Sequence, residues 1–207
     1  MKLIVESQYF PPVTLFKKSI EFLNIEFDIY EPWRKMSFRN RCVVVGSHGP
    51  INLSIPVLEG REQKKLMKEV VIDNRKPWQS QHWKTITSCY NRSPWFSFYE
   101  PELAGLYRQP VELLHDWNRI CFEWVTGKLG LTLHVDYLEC VPDGLAGQMV
   151  VDWRNKLTPK TLQEDGANPV IYHQVFEDRI GFIPHLSVLD LLFCEGKNAR
   201  RILSAKG

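Results

Sequence analysis

A mixed α/β fold is what this 207-residue chain predicts, on three observations. The apolar run Leu3-Ile4-Val5 opens straight into Ser7-Gln8-Tyr9-Phe10-Pro11-Pro12 and then Thr14-Leu15-Phe16, the pattern of a strand–loop–helix unit. Residues 38–45 and Ile51–Val57, parted by the turn cluster Gly46-Ser47-His48-Gly49-Pro50, read as an antiparallel hairpin. Several later stretches carry apolar residues at helical spacing. The expectation is a single domain over residues 1–207: an α/β (alternatively α+β) fold with a central mixed sheet, the hairpin at about 38–57, and flanking helices.

Each element has its own warrant. Residues 2–6 form a strand, 13–23 a helix and Glu26–Tyr30 a second strand, after which Pro32 breaks the chain. In the hairpin's second strand Ile51, Leu53, Ile55 and Val57 share one face, and Pro56, lacking a ladder donor, belongs at an edge or strand end. A charged segment, Glu59–Lys68, leads to a short strand, Glu69–Ile72. Asp73-Asn74 before Pro77 signals a helix start, and Trp78, His82, Ile86 and Cys89 then lie along one face. Asn91-Arg92-Ser93-Pro94 interrupts, and Trp95–Tyr99 begins a short helix. Pro110 starts a long helix striped by Val111, Leu114, Trp117, Cys121 and Trp124, stopped between Gly127 and Gly130. Leu131–Tyr137 reads as a strand, and 142–169 as a long loop anchored by Trp153, of the kind that is functional or mobile. In the tail Ser187 and Asp190 have capping-box spacing before Leu189, Leu192 and Phe193, with Gly196 at the stop.

Composition excludes several classes. A hydrophobic fraction of 44% with 24% charged residues is ordinary for a globular chain, and a net charge of +2 lacks the basic footprint of a nucleic-acid binder. No stretch approaches the roughly 20 apolar residues of a membrane span. The opening Met1–Glu6 is too short and too soon acidic for a secretory signal, so a cytoplasmic location is expected. The five cysteines, Cys42, Cys89, Cys121, Cys140 and Cys194, are scattered without a CxxC pair, as reduced core thiols are. Seven Trp, seven Tyr and eleven Phe, many beside polar residues, suit either a core of large rings or the walls of a ligand cleft.

Motifs are informative mainly by absence. There is no phosphate-binding glycine loop, no GxGxxG, no GxSxG and no pair of Asp at i, i+2. The six histidines show neither HxH nor HxxxH spacing, so no local metal motif is present, and no cofactor is indicated. What remains begins with Arg39-Asn40-Arg41. On a strand both arginines share a face, where they would grip a phosphate or carboxylate, or pair with acids across the sheet. Asn40 would face the other way and bridge backbone. His82 on its apolar stripe is either a core histidine bonded to backbone or a general base. Tyr90 and the Ser93–Phe96 turn either close a pocket or pack. Alternation puts Tyr172, Gln174 and Phe176 on one face, and Asp190 is a helix cap or a buried acid.

These segments, in their order and spacing, resemble the WbqC-like family. They are Gln8-Tyr9-Phe10-Pro11-Pro12, Arg39-Asn40-Arg41, Leu53–Val57, His82–Ile86 with Tyr90, Ser93–Phe96, Tyr172–Phe176, Phe182–Pro184 and Leu189–Gly196. Many members open Gln-Pro-Tyr/Phe where Gln8 here meets Tyr9 directly, and many carry Asn in place of His185 and Cys194. The resemblance implies a bacterial O-antigen or related surface-polysaccharide context and a transfer of a small acyl or aminoacyl group, glycyl among them, to an amino sugar. On that reading Arg39 and Arg41 hold the anionic part of the donor or of the sugar's nucleotide-linked or lipid-linked carrier, and His82 takes a proton from the attacking amine. Gln8, Tyr9, Asn40, Tyr90, Tyr172 and Gln174 bind the substrate. The alternative is a non-catalytic module that presents a nucleotide-sugar or glycan to a partner enzyme. A nucleotidyl-type activity is a third reading.

Overall fold

A computed structural model describes residues 1–59, 65–138, 150–164 and 169–205. In chain order, strand β1 (Lys2–Glu6) leads through a six-residue loop to helix α1 (Val13–Ser19), strand β2 (Asn24–Asp28) and the hairpin β3 (Arg41–Gly46) and β4 (Gly49–Ser54). Helices α2 (Trp78–Tyr90), α3 (Phe96–Leu106) and α4 (Leu114–Leu129) follow, then β5 (His134–Tyr137), β6 (Val150–Asp152) and the short helices α5 (Thr161–Glu164) and α6 (Glu177–Ile180). Helices α7 (Val188–Glu195) and α8 (Ala199–Ser204) close the described chain.

The fold is mixed α/β, as expected, with its strands in two sheets. Four parallel strands run in the order β5-β2-β1-β6, and β3–β4 form a separate antiparallel ribbon. β1 lies between β2 and β6, with Glu6 opposite Asp28 and Ile4 opposite Asp152. Its Leu3, Ile4 and Val5 are all buried, which is why this strand reads as a continuous apolar run. On β2, Phe27 meets Phe122 of α4 edge-on at 5.2 Å, and Phe122 stacks on Phe16 of α1 at 4.8 Å. α7 is buried on every side from Val188 to Cys194, Asp190 included, as its otherwise apolar sequence favours. Ser187 caps it, its Oγ accepting from the Leu189 amide, and Gly196 at φ 53° ends it. Among the described residues no helix is long and apolar enough to cross a membrane.

Several boundaries differ from expectation. α1 stops at Ser19 rather than residue 23, because a turn (Phe22 N to Ser19 O, 3.0 Å) must deliver the chain to β2 at Asn24. β3 starts at Arg41, so Arg39 and Arg41 do not share a strand face. The backbone of Phe38-Arg39 is claimed from elsewhere: Tyr9 N donates to Phe38 O at 2.9 Å and Asn118 Nδ2 to Arg39 O at 2.8 Å. Glu69–Ile72 is not a strand: a 3₁₀ turn covers Met67–Glu69 and only isolated bridges (Val71–Leu113, Val57–Ile72) follow. Those pairings hold Glu112 and Leu113 extended, which delays α4 to Leu114 instead of Pro110. β5 takes only His134–Tyr137 of the expected strand, and Tyr172–Gln174 carry no strand. The expected loop over 142–169 contains β6 and α5; its remainder at 142–149 and 165–168, like Cys140 and much of the charged segment before Lys68, lies outside the described residues. The four other cysteines are buried free thiols.

Candidate functional site

In a parallel sheet every strand ends on the same edge, and ligands collect where neighbouring strands connect in opposite directions. Here that crevice lies between β1 and β6. Three strands end there in an acid: Glu6 on β1, Asp28 on β2 and Asp152 on β6. Glu31 adds a fourth carboxyl from the segment after β2. A cavity of about 360 Å³ opens beside them, walled by Asp28, Glu31, Asp152, Arg154 and Asn155.

A network in two parts, joined only through the chain neighbours Arg154 and Asn155, sets these groups. Gln8 Nε2 donates to Glu6 Oε1 at 2.9 Å, and the Asn155 amide donates to Glu6 Oε2 at 2.8 Å. Asn155, at φ 59°, turns its Oδ1 to Arg39 Nη2 at 2.9 Å. Arg39, 1% exposed, grips Glu31 with two parallel bonds of 2.8 and 2.5 Å. Arg154 completes the set. It donates to Asp28 at 2.6 Å and, through Nη2, to Asp152 at 2.6 Å. Four carboxyl groups thus stand with three arginines, Arg39 and Arg154 bonded to them and Arg34 on the cavity wall. Burial lifts the Glu31 carboxyl above the usual range; Arg39 opposes that, and Glu6 and Asp28 add to it by repulsion. Buried charge at this density contributes little to stability beyond what an apolar core would.

Of the residues singled out in the sequence, Gln8 and Arg39 meet in this network. Arg39 is already paired with Glu31, so its fork is not open to an anion. The Gln8 Oε1 and the neighbouring Ser7 Oγ are buried without a hydrogen-bond partner.

Tyr9 and His82 lie in a different buried cluster. The Tyr9 hydroxyl is 3.0 Å from His82 Nδ1 and 2.5 Å from the Tyr107 hydroxyl. Ser54 backbone hydrogen-bonds the imidazole as well, yet desolvation dominates and takes its pKa down to about 4. With a proton directed at the Ser54 carbonyl, Nδ1 accepts from Tyr9, and neither ring nitrogen is left for a substrate.

Tyr90 and Tyr172 join Asp190 instead. Their hydroxyls donate to its two carboxyl oxygens, each at 2.8 Å, and Val45 N donates to the Tyr90 oxygen at 3.0 Å. Asp190 is fully buried, and desolvation pushes its pKa up to about 6 despite both tyrosines. Of its two expected roles it takes that of the buried acid. Gln174 secures its own loop, donating to Ile183 O at 2.7 Å and accepting from Ile183 N at 2.8 Å. Asn40 bridges backbone as expected, Nδ2 to Ile55 O at 2.8 Å, and Arg41 lies with it on another cavity.

Sequence reading singles out none of Glu6, Asp28, Glu31, Asp152, Arg154 or Asn155 as site residues. A signal is nonetheless there: Leu3-Ile4-Val5-Glu6, Ile25-Glu26-Phe27-Asp28 and Val150-Val151-Asp152 each end a strand in an acid. Among the described residues no group of three or more His, Cys, Asp or Glu is arranged to hold a metal ion. The model of the WbqC-like protein family matches residues 7–179, a span that takes in the network except Glu6. No curated protein and no solved structure matches the chain.

Proposed function

The chain belongs to the WbqC-like protein family, and from that premise we propose an enzyme of bacterial surface-polysaccharide biosynthesis that joins a small acyl or aminoacyl group to an amino sugar. One observation carries this reading: the excess of carboxyl groups over arginines at the crevice between β1 and β6 suits a ligand that brings an ammonium group. Asp28 and Asp152 hold that ammonium in place, and Glu31, with its raised pKa, accepts the proton as the amine becomes nucleophilic. The nitrogen then forms an amide bond to the acyl carbon while the bond from that carbon to the donor's leaving group breaks. Gln8, Asn155 and Arg39 are positioning residues that keep Glu6 and Glu31 aimed. In this reading the base is Glu31, and His82 with Tyr9 belongs to the separate buried cluster with Tyr107.

The test is to incubate the protein with nucleotide-linked amino sugars and acyl or aminoacyl donors and follow amide formation by mass spectrometry. Glu31→Gln should lower the rate by about 10²–10⁴, the range of a general base. Unchanged turnover in a folded Glu31→Gln protein sinks the assignment. A second reading, a non-catalytic sugar-binding module, is favoured by one fact: each of the four carboxyl groups already has a protein partner. Thermal stabilisation by an amino sugar with no product from any donor would select the module.

A further inference from the structure

A second cavity, of about 410 Å³, lies on the other side of the same chain segment. Tyr30, Glu31, Pro32 and Arg34 border the acidic crevice, whereas Trp33, Lys35 and Met36 border this one. Its charge is the reverse. Lys35, Arg41 and Lys76 line it, and no Asp or Glu does. In a chain with a net charge of only +2 this is a marked local concentration.

The three cations are poorly compensated. Among the described residues Lys35 and Arg41 have no ion-pair partner, although Arg41 is half-buried where β3 begins. Lys76 has only Asp73 Oδ2 at 4.0 Å, and Arg75 already grips that carboxylate at 2.7 and 3.1 Å. A half-buried guanidinium without a counter-charge carries a desolvation cost that a bound anion would offset. Arginine's planar fork matches two phosphate oxygens, and lysines add point charges around it. The volume is that of a small-molecule site and larger than a carboxylate needs. Trp33 and Ile55 supply an apolar floor.

We infer that this cavity is a diphosphate-binding subsite, in which Arg41 forks one phosphoryl group and Lys35 and Lys76 neutralise the other. Such a group reaches the protein in one of two ways, as a soluble nucleotide diphosphate-sugar or as a lipid-linked diphosphate. The exposed Met36 at the rim, 71% accessible, is compatible with either.

The probe is inorganic pyrophosphate, titrated calorimetrically into the 207-residue chain with orthophosphate in parallel. Pyrophosphate should bind more tightly than orthophosphate and weaken as salt rises. Arg41→Gln should weaken it at least tenfold, and Arg41→Lys less. The Arg41 side chain makes no hydrogen bond among the described residues, and its backbone pairing with Ser54 is untouched by substitution, so both variants should keep the wild-type melting temperature. Lys35→Gln with Lys76→Gln is the second pair, both exposed and safe for folding. Pyrophosphate affinity unchanged in Arg41→Gln and in the lysine pair overturns the proposal, as does binding indifferent to salt. Competition then names the source: displacement by a uridine diphosphate-sugar marks the soluble carrier, and displacement only by a polyprenyl diphosphate in micelles marks the lipid one. Binding requires no turnover. A protein that binds pyrophosphate but forms no amide therefore refutes acyl transfer alone.

Discussion

Arg154 Nη1 lies 2.6 Å from Asp28 Oδ2, so a side chain that follows β6 reaches over the end of β1 to the end of β2. The same guanidinium holds Asp152 through Nε and Nη2. Three adjacent parallel strands are tied at their carboxyl ends, where main-chain pairing has stopped. The tie is also what gives the crevice its shape.

Replacing Arg154 with Gln leaves Asp28 buried without its cation. Breaking a fully buried pair costs about 3–5 kcal/mol, and partial exposure of Arg154 lowers the expectation to about 2 kcal/mol. Urea denaturation measures it. The double variant Arg154→Gln, Asp28→Asn should recover part of the loss; a double cost equal to the sum of the single costs would show that the two groups do not interact.

His82 is expected to matter for stability more than for rate. His82→Phe removes one of the Tyr9 hydroxyl's two partners and the polar link to Ser54, at a cost of about 1–3 kcal/mol. Measured below its melting temperature, the variant should turn over substrate at close to the wild-type rate. A loss of a hundredfold or more, with circular dichroism unchanged, would return the role of base to His82.

Among the contributions to the pH dependence of stability, those of His82 and Asp190 oppose each other. Folded His82 protonates only near pH 4, against about 6.5 in an unfolded chain, so the unfolded state binds more protons between these values. Its contribution is complete above pH 6.5 and is lost as pH falls to 4. Asp190 does the reverse. It keeps its proton up to about pH 6, against about 3.9 unfolded, so its contribution is complete at low pH and is lost as pH rises through 6. Between pH 4 and 6 the two nearly cancel. Asp190→Asn should therefore gain stability with rising pH more steeply than wild type, and His82→Gln less steeply. Melting curves from pH 4 to 7 decide; parallel profiles for all three proteins would remove both titrations from the account.

Gly196→Ala should be the most damaging small substitution. The residue sits at φ 53°, and an added Cβ would fall 2.1 Å from the Trp95 ring. The Trp95 main chain is fixed beside it, its amide donating to Phe193 O at 3.0 Å, so relief requires the ring to swing away. A loss of about 3 kcal/mol or more is expected from overpacking plus backbone strain. Denaturation of Gly196→Ala, Trp95→Ala and the double variant separates the two terms, since adding Gly196→Ala to Trp95→Ala costs only the strain.

Legibility from sequence followed the range of the signal. β1, the hairpin, α2, α4 and α7 declare themselves through periodicity, and Ser187 and Gly196 through capping chemistry, because these act within a few residues. β6 does not. Three residues carry no period, and Val150–Asp152 become a strand only because β1 offers an edge at Lys2–Ile4. Arg39 misleads for a related reason: its neighbours suggest a strand, while Tyr9 and Asn118 take the backbone bonds a strand would have used.

The site divides along the same line. Sequence alone pointed to the loop after β1 as a ligand-bearing place, and to Gln8 and Arg39 as residues with a polar task. It determined the helix face that buries His82 and the family to which the chain belongs. Only the tertiary structure decided who partners whom. Arg39 meets Asn155 across 116 positions of sequence, Tyr90 meets Asp190 across 100, and Arg154 meets Asp28 across 126. Hydrogen bonds and ion pairs act over about 3–4 Å. Which groups come that close depends on the order of parallel strands, and strand order is a property of the assembled sheet that no local stretch of sequence contains.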